Sequence, residues 1–131
     1  MPPRNSNQKK RPSPKTAPIF DIKAQLKRIE SYVIKGERLH AVFDCKDPFT
    51  GFVGFTDKRL IFFDEAVILK HKNMMSIPYK QIVGVAASDD GMVFRTSQIT
   101  IISAAGNFSF DFRGADKARW AYEFIMRNVL R

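Results

Sequence analysis

The chain has 131 residues, 44% of them hydrophobic, and a formal charge of +9, which suits one packed domain and excludes two full ones. With Cys45 as its one cysteine, neither an intramolecular disulfide nor a four-thiolate metal site can form within the chain. No apolar run approaches the ~18 residues of a membrane-spanning helix, and no apolar segment follows the basic N-terminus as in a secretory signal, so the expected location is the cytoplasm.

The charge is unevenly placed. Residues 1–20 carry Arg4, Lys9, Lys10, Arg11 and Lys15 with no acid, which leaves 17 basic and 13 acidic residues for the rest of the chain. The same stretch holds five prolines and almost no apolar residue before Ile19. Such a segment buries too little surface to offset its conformational entropy, so residues 1–18 are expected to form a disordered basic tail and residues 19–131 a folded domain. A basic tail attracts any polyanion, whether RNA phosphates or anionic lipid headgroups, without sequence selectivity. It equally fits a merely solubilising extension.

Beyond the tail, Ile22, Leu26, Ile29 and Val33 recur at helical spacing, predicting an amphipathic helix over residues 21–35 with Asp21 as its cap and Gly36 at its end. Its outer face carries Lys23, Lys27, Arg28 and Lys35. After Gly36 the period changes to two. Leu39, Ala41, Phe43 and Cys45 alternate with polar residues, and Val42 is an apolar outlier. Further strands are expected at residues 52–55, 60–63, 74–77, 82–87, 92–96, 99–103 and 108–112, with turns at Asp89-Asp90-Gly91 and Ala105-Gly106-Asn107. Phe108, Phe110 and Phe112 should face the core. Residues 115–130 return to helical period, with Ala118, Ala121, Phe124 and Ile125 on one side and Trp120 a turn below Phe124. This helix is expected to plug the open end of a curved antiparallel sheet.

Four segments carry a family resemblance. Gly36-Glu37-Arg38-Leu39, the stretch Gly54-Phe55-Thr56-Asp57-Lys58-Arg59-Leu60-Ile61-Phe62-Phe63, Ile77-Pro78-Tyr79-Lys80-Gln81-Ile82 and Phe110-Asp111-Phe112-Arg113-Gly114 occur in the order and spacing of bacterial pleckstrin-homology (PH) domains. The chain resembles their YokE-like subgroup over roughly residues 20–131. The resemblance implies a mainly β fold with flanking helices: a split barrel of about seven antiparallel strands, capped by the C-terminal helix. It also admits homo-oligomers joined through sheet edges. In eukaryotic PH domains that hold phosphoinositides, several Lys and Arg lie on the first strand and the loop after it. Here that stretch, residues 44–51, has one lysine against two aspartates.

No catalytic constellation is legible. His40 and Asp44 share one strand face without a serine motif, phosphate loop or paired metal ligand. Cys45 falls on the inward alternation and reads as a buried, inert thiol. No enzyme activity, metal or cofactor is therefore expected. The reading that follows is an interaction module with a protein or peptide partner, bound by loops or an exposed sheet edge. The alternative is peripheral association with an anionic membrane surface through Lys9, Lys10, Arg11, Lys23, Lys27, Arg28, Lys70, His71 and Lys72, with Phe49 as an apolar loop tip. Weak nucleic-acid binding by the tail is a third.

Overall fold

A computed structural model describes residues 17–46, 51–64, 73–87 and 96–131. The elements are β1 (Ile19–Phe20), α1 (Lys23–Glu30), β2 (Leu39–Lys46), β3 (Gly51–Thr56), β4 (Arg59–Asp64), β5 (Asn73–Pro78), a single 3₁₀ turn (Tyr79–Gln81), β6 (Ile82–Ala87), β7 (Gln98–Ser103), β8 (Gly106–Phe112) and α2 (Ala115–Val129). Among the described residues, seven antiparallel strands run in the order β5-β4-β3-β2-β8-β7-β6, β1 adds to β2 in parallel outside that path, and the sheet does not close. This is the PH-type architecture expected, and the short strand β1 is one that the sequence did not predict. The expected strand at residues 92–96 and the Asp89-Asp90-Gly91 turn lie outside the described residues, apart from Thr96.

Two apolar clusters hold the fold. The larger joins Ala41, Phe43, Val53, Phe55, Phe62, Ile99, Ile101, Phe110 and Phe112 to Ala118, Ala121, Phe124 and Ile125 of α2. The α2 helix thus fills the mouth of the bent sheet, as its stripe predicts, and Trp120 stacks on Phe124 with ring centroids 4.8 Å apart. The smaller cluster lies on the other sheet face, where Leu26 and Ile29 of α1 cover Leu39, Val42, Phe52, Ile61 and Phe63. Val42 is therefore no outlier: with a helix on each side, both faces of β2 are buried. An irregularity in register between Leu39 and Ala41 further separates their surroundings, placing Leu39 with α1 and Ala41 in the main core.

The first helix departs from expectation at both ends. Asp21 does not cap it; the residue at that position is Ile22, with no side-chain cap. Regular helix ends at Glu30, not near Gly36, and residues 29–37 continue as tight turns (Tyr32 N to Ile29 O, Val33 N to Glu30 O, Glu37 N to Ile34 O). The competing partner is tertiary. Arg59 donates to Tyr32 O at 2.8 Å, and the Glu37 carboxylate accepts the Ile34 amide at 2.9 Å, so the backbone is satisfied without another helical turn.

That carboxylate centres a polar knot. Arg59 donates Nε to Glu37 Oε2 (2.8 Å) and Nη2 to Oε1 (3.1 Å), Thr56 donates its hydroxyl to Oε2 (2.7 Å), and Arg59 Nη1 reaches Ser76 Oγ (2.8 Å). Burial alone would raise the Glu37 pKa, but the hydrogen bonds from Arg59, Ile34 and Thr56 and the guanidinium charge outweigh it and hold the group at about 2. Thr56 Oγ1 also accepts the amides of Lys58 and Arg59, the turn chemistry expected between β3 and β4.

Candidate functional site

The strand β2 changes partner halfway along. On one side it pairs with β3 from Leu39 to Asp44. On the other, Cys45 and Lys46 pair with Phe112 and Asp111 of β8, while Ala41 and Val42 pair with Ile19 and Phe20 of β1. The N-terminal half of β2 would thus be an open edge beside α2, and a two-residue strand is laid on it. Nothing local in the sequence says that Ile19 and Phe20 form a strand or which edge they join.

Asp21 secures this added strand at the point of exchange. Its amide donates to Val42 O (3.2 Å), its Oδ2 accepts the Asp44 amide (2.9 Å), and its Oδ1 pairs with Lys117 Nζ of α2. The Asp44 carboxylate in turn accepts from Gln25 Nε2 (2.8 Å) and Arg113 Nε (2.9 Å). The carboxylate side chains of Asp21 and Asp44 are 13% and 16% exposed, so both ion pairs are partly shielded from water. The expected neighbourhood of His40 and Asp44 is not what binds either group: His40 packs its ring on Phe124 at 4.9 Å. Burial, helped by the nearby Arg38 charge, lowers the His40 pKa, and Asp57 opposes this.

The added strand fills its seat poorly. Ile19 and Phe20 remain 48% and 43% exposed. A cavity of about 450 Å³ opens beside Ala17 and Ile19, floored by His40, Trp120 and Phe124 and edged by Arg127 and Arg131. A second, of about 230 Å³, lies beside Ile19, Phe20 and Asp21 against Phe43, Lys117 and Trp120. Together they trace a groove along α2 with aromatic walls, Arg127 and Arg131 with Asp57 at one end and Lys117 with Asp21 and Asp116 at the other. Another concavity, of about 490 Å³, is lined by Ile34, Lys35, Gly36, Glu37, Lys58, Arg59 and Pro78, but its two opposed charges, Glu37 and Arg59, are already engaged with each other.

Of the residues singled out from sequence, Lys23, Lys27 and Arg28 lie exposed on α1, and the Arg28 guanidinium rests over the Phe63 ring at 4.9 Å. Lys9, Lys10, Arg11, Phe49, Lys70, His71 and Lys72 lie outside the described residues. Cys45 is buried, and burial with the nearby carboxylates of Asp44, Asp111 and Asp21 pushes its thiol pKa far up. Among the described residues no group of three or more His, Cys, Asp or Glu could hold a metal, and no helix is long and apolar enough to cross a membrane. Sequence reading did not anticipate the groove. Its parts, Ile19, Asp21, Lys117 and Trp120, lie about 100 residues apart and share no local pattern.

Comparison with known proteins places the fold. The sequence model of the bacterial PH domain matches residues 13–129. The uncharacterized protein YozO of Bacillus subtilis (strain 168) is 28% identical over 96 residues, covering 72% of this chain and 82% of that protein. Two crystal structures share the fold. A pleckstrin homology domain from Shewanella amazonensis SB2B superposes with a TM-score of 0.61 at 22% identity, covering 88% of this chain and 93% of that one. A DUF1696 family protein with a pleckstrin-homology domain from Shewanella loihica PV-4 gives 0.57 at 16% identity, covering 83% and 97%.

Proposed function

The chain belongs to the bacterial PH domain family, and from that premise we propose that it is a non-catalytic interaction module, an adaptor that takes an extended segment of a protein partner as an added strand on the half of β2 that β8 does not pair. One observation carries this reading: the fold already accepts a strand there, pairing Ile19 and Phe20 with Ala41 and Val42 while leaving a groove of about 450 Å³ beside it. Strand addition satisfies the edge amides and carbonyls whatever the ligand's sequence, and side-chain pockets on alternate positions supply selectivity. The Trp120, Phe124 and His40 rings offer such a pocket, with polar groups from Asp57, Arg127, Asn128 and Arg131 around them.

The test is selection of ten-residue peptides from a random display library on the whole chain, followed by amide hydrogen exchange of the complex. Slower exchange in His40–Phe43 together with a change in Trp120 fluorescence supports the site. Selected peptides that protect β6, the edge strand paired only with β7 among the described residues, would move the site elsewhere. A library yielding no binder refutes the reading.

A second reading rests on the exposed Lys23 and Lys27 of α1, flanked by Ile22 and Ile34 at 43% and 63% exposure. Basic side chains beside exposed apolar ones suit an anionic membrane surface. Co-sedimentation of the chain with phosphatidylserine vesicles at physiological salt, lost in K23E/K27E, supports peripheral membrane association; equal sedimentation of that variant removes α1 from the contact.

A further inference from the structure

We propose that residues 17–21 act as a built-in competitor, an internal stand-in for the ligand, and that the ligand is an extended protein segment reading bulky apolar, any residue, bulky apolar, any residue, carboxylate. This rests on the reading of the β2 edge as a peptide site and specifies what the site selects and how it is held in check.

The pattern follows from what the internal strand does. In extended chain, alternate side chains share a face. Ala17 and Ile19 both border the larger cavity, and Ile19 and Asp21, with Phe20 between them, border the smaller, so side chains from positions 17, 19 and 21 all reach the groove along α2. At the last of these, the carboxylate meets Lys117 Nζ and the Asp44 amide, a charged and a neutral donor that an uncharged side chain could not satisfy equally. At the first, alanine stands before a space of about 450 Å³ whose floor is the Trp120–Phe124 stack. A methyl group leaves that space open; an aromatic ring fills it and meets three aromatic faces.

The internal strand is also built to yield. It pairs over two residues, and its two apolar side chains are each nearly half exposed. Asp21 supplies its main fixed contacts to α2 and β2. A segment carrying the same carboxylate and a larger first side chain makes every contact of the internal strand and adds the one it lacks. Because the site is free only while the internal strand is away, the apparent affinity is the intrinsic one multiplied by that open fraction.

Trp120 is the single tryptophan and lies in the groove, so its fluorescence reports occupancy on the full chain without a label. The probe is an acetylated peptide with the order of residues 17–22 but phenylalanine first: Phe-Pro-Ile-Phe-Asp-Ile. It is titrated into the intact chain, I19S and K117E, with thermal melts confirming that each is folded; Ile19 is exposed enough for its serine variant to keep the core. The expected results are binding to the intact chain, at least tenfold tighter binding to I19S, and at least tenfold weaker binding of a probe with asparagine for aspartate. K117E should reverse the preference, taking a lysine-bearing probe over the aspartate one. If I19S binds no tighter, the internal strand is not a competitor; if the asparagine probe binds as well, the carboxylate is not read. Either result overturns this inference while the peptide-binding reading stands. No fluorescence change with any probe in any form, alongside library peptides that do protect His40–Phe43, overturns the pattern alone; failure of both removes the site. Light scattering that shows the added peptide dissociating a dimer of the chain would identify a second copy as the occupant and overturn the proposal of a foreign partner.

Discussion

Gly54 marks where α1 crosses the sheet, and its replacement by alanine tests that packing. Gly54 lies in the middle of β3 between Val42 and Ile61. A Cβ built on it would stand 2.6 Å from Ile29 Cγ2 and 3.3 Å from both Cγ1 and Cδ1. Ile29 is fully buried in one cluster with Leu26, Val42, Phe52 and Phe63, so moving it disturbs that packing. Forcing one methyl group into such a site costs about 1–3 kcal/mol. Restricting the unfolded chain by the same change returns about 0.4–1 kcal/mol. The expected net loss for G54A is therefore about 1–2 kcal/mol, read as a lower urea midpoint at unchanged slope. Truncating the neighbour separates the clash from other causes. I29A alone should cost about 2–5 kcal/mol, but G54A/I29A should cost less than the two single losses together, by about 1 kcal/mol or more, because the new methyl occupies vacated space. Neutral or stabilising behaviour of G54A, or strict additivity in the cycle, would refute the close contact between α1 and β3.

The Glu37 knot predicts an acid-sensitive stability. With its folded pKa at about 2 against an ordinary 4.5, the group stabilises the fold above pH ~4.5, and that contribution, up to about 3 kcal/mol, is lost as pH falls from there toward 2. Urea titrations at pH 7, 4 and 2.5 should show the loss in the native chain and a much shallower one in E37Q; parallel curves would refute the assignment. Cys45 should resist iodoacetamide in the folded protein and react once urea unfolds it, since its thiol is buried and its thiolate disfavoured. Labelling of the native protein at the rate of a free thiol would contradict that. Truncating Phe124, which meets His40, Phe55, Tyr79 and Trp120, should cost about 3–5 kcal/mol in F124A by urea unfolding. A cost below about 1 kcal/mol would mean α2 does not plug the sheet.

How far the sequence was legible depended on whether a signal was local. The C-terminal helix was, because its stripe packs on a single surface and one period describes it. So was the β3–β4 turn, where Thr56 bonds backbone atoms two and three residues away. Alternation in β2 was read with one buried face, and α1 buries the other, so Val42 looked anomalous until the helix was in place. The short helix and its tight continuation were not readable, since their stop signal is Arg59, more than 20 residues distant.

Composition, period and turn chemistry therefore determined an antiparallel β fold capped by a C-terminal helix, with a buried thiol at Cys45, because each of those follows from neighbours within a turn or a strand. The fate of Asp21, read as a helix cap and found as the clasp of an added strand, was decided by Lys117, 96 residues away, and by the backbone of Asp44. The groove, its aromatic floor and its charged rim exist only where β2 parts from β8 and α2 passes beside it. A carboxylate at a helix start is stabilised by free amides wherever it finds them; here the better offer, an amide and an ammonium together, came from the tertiary fold.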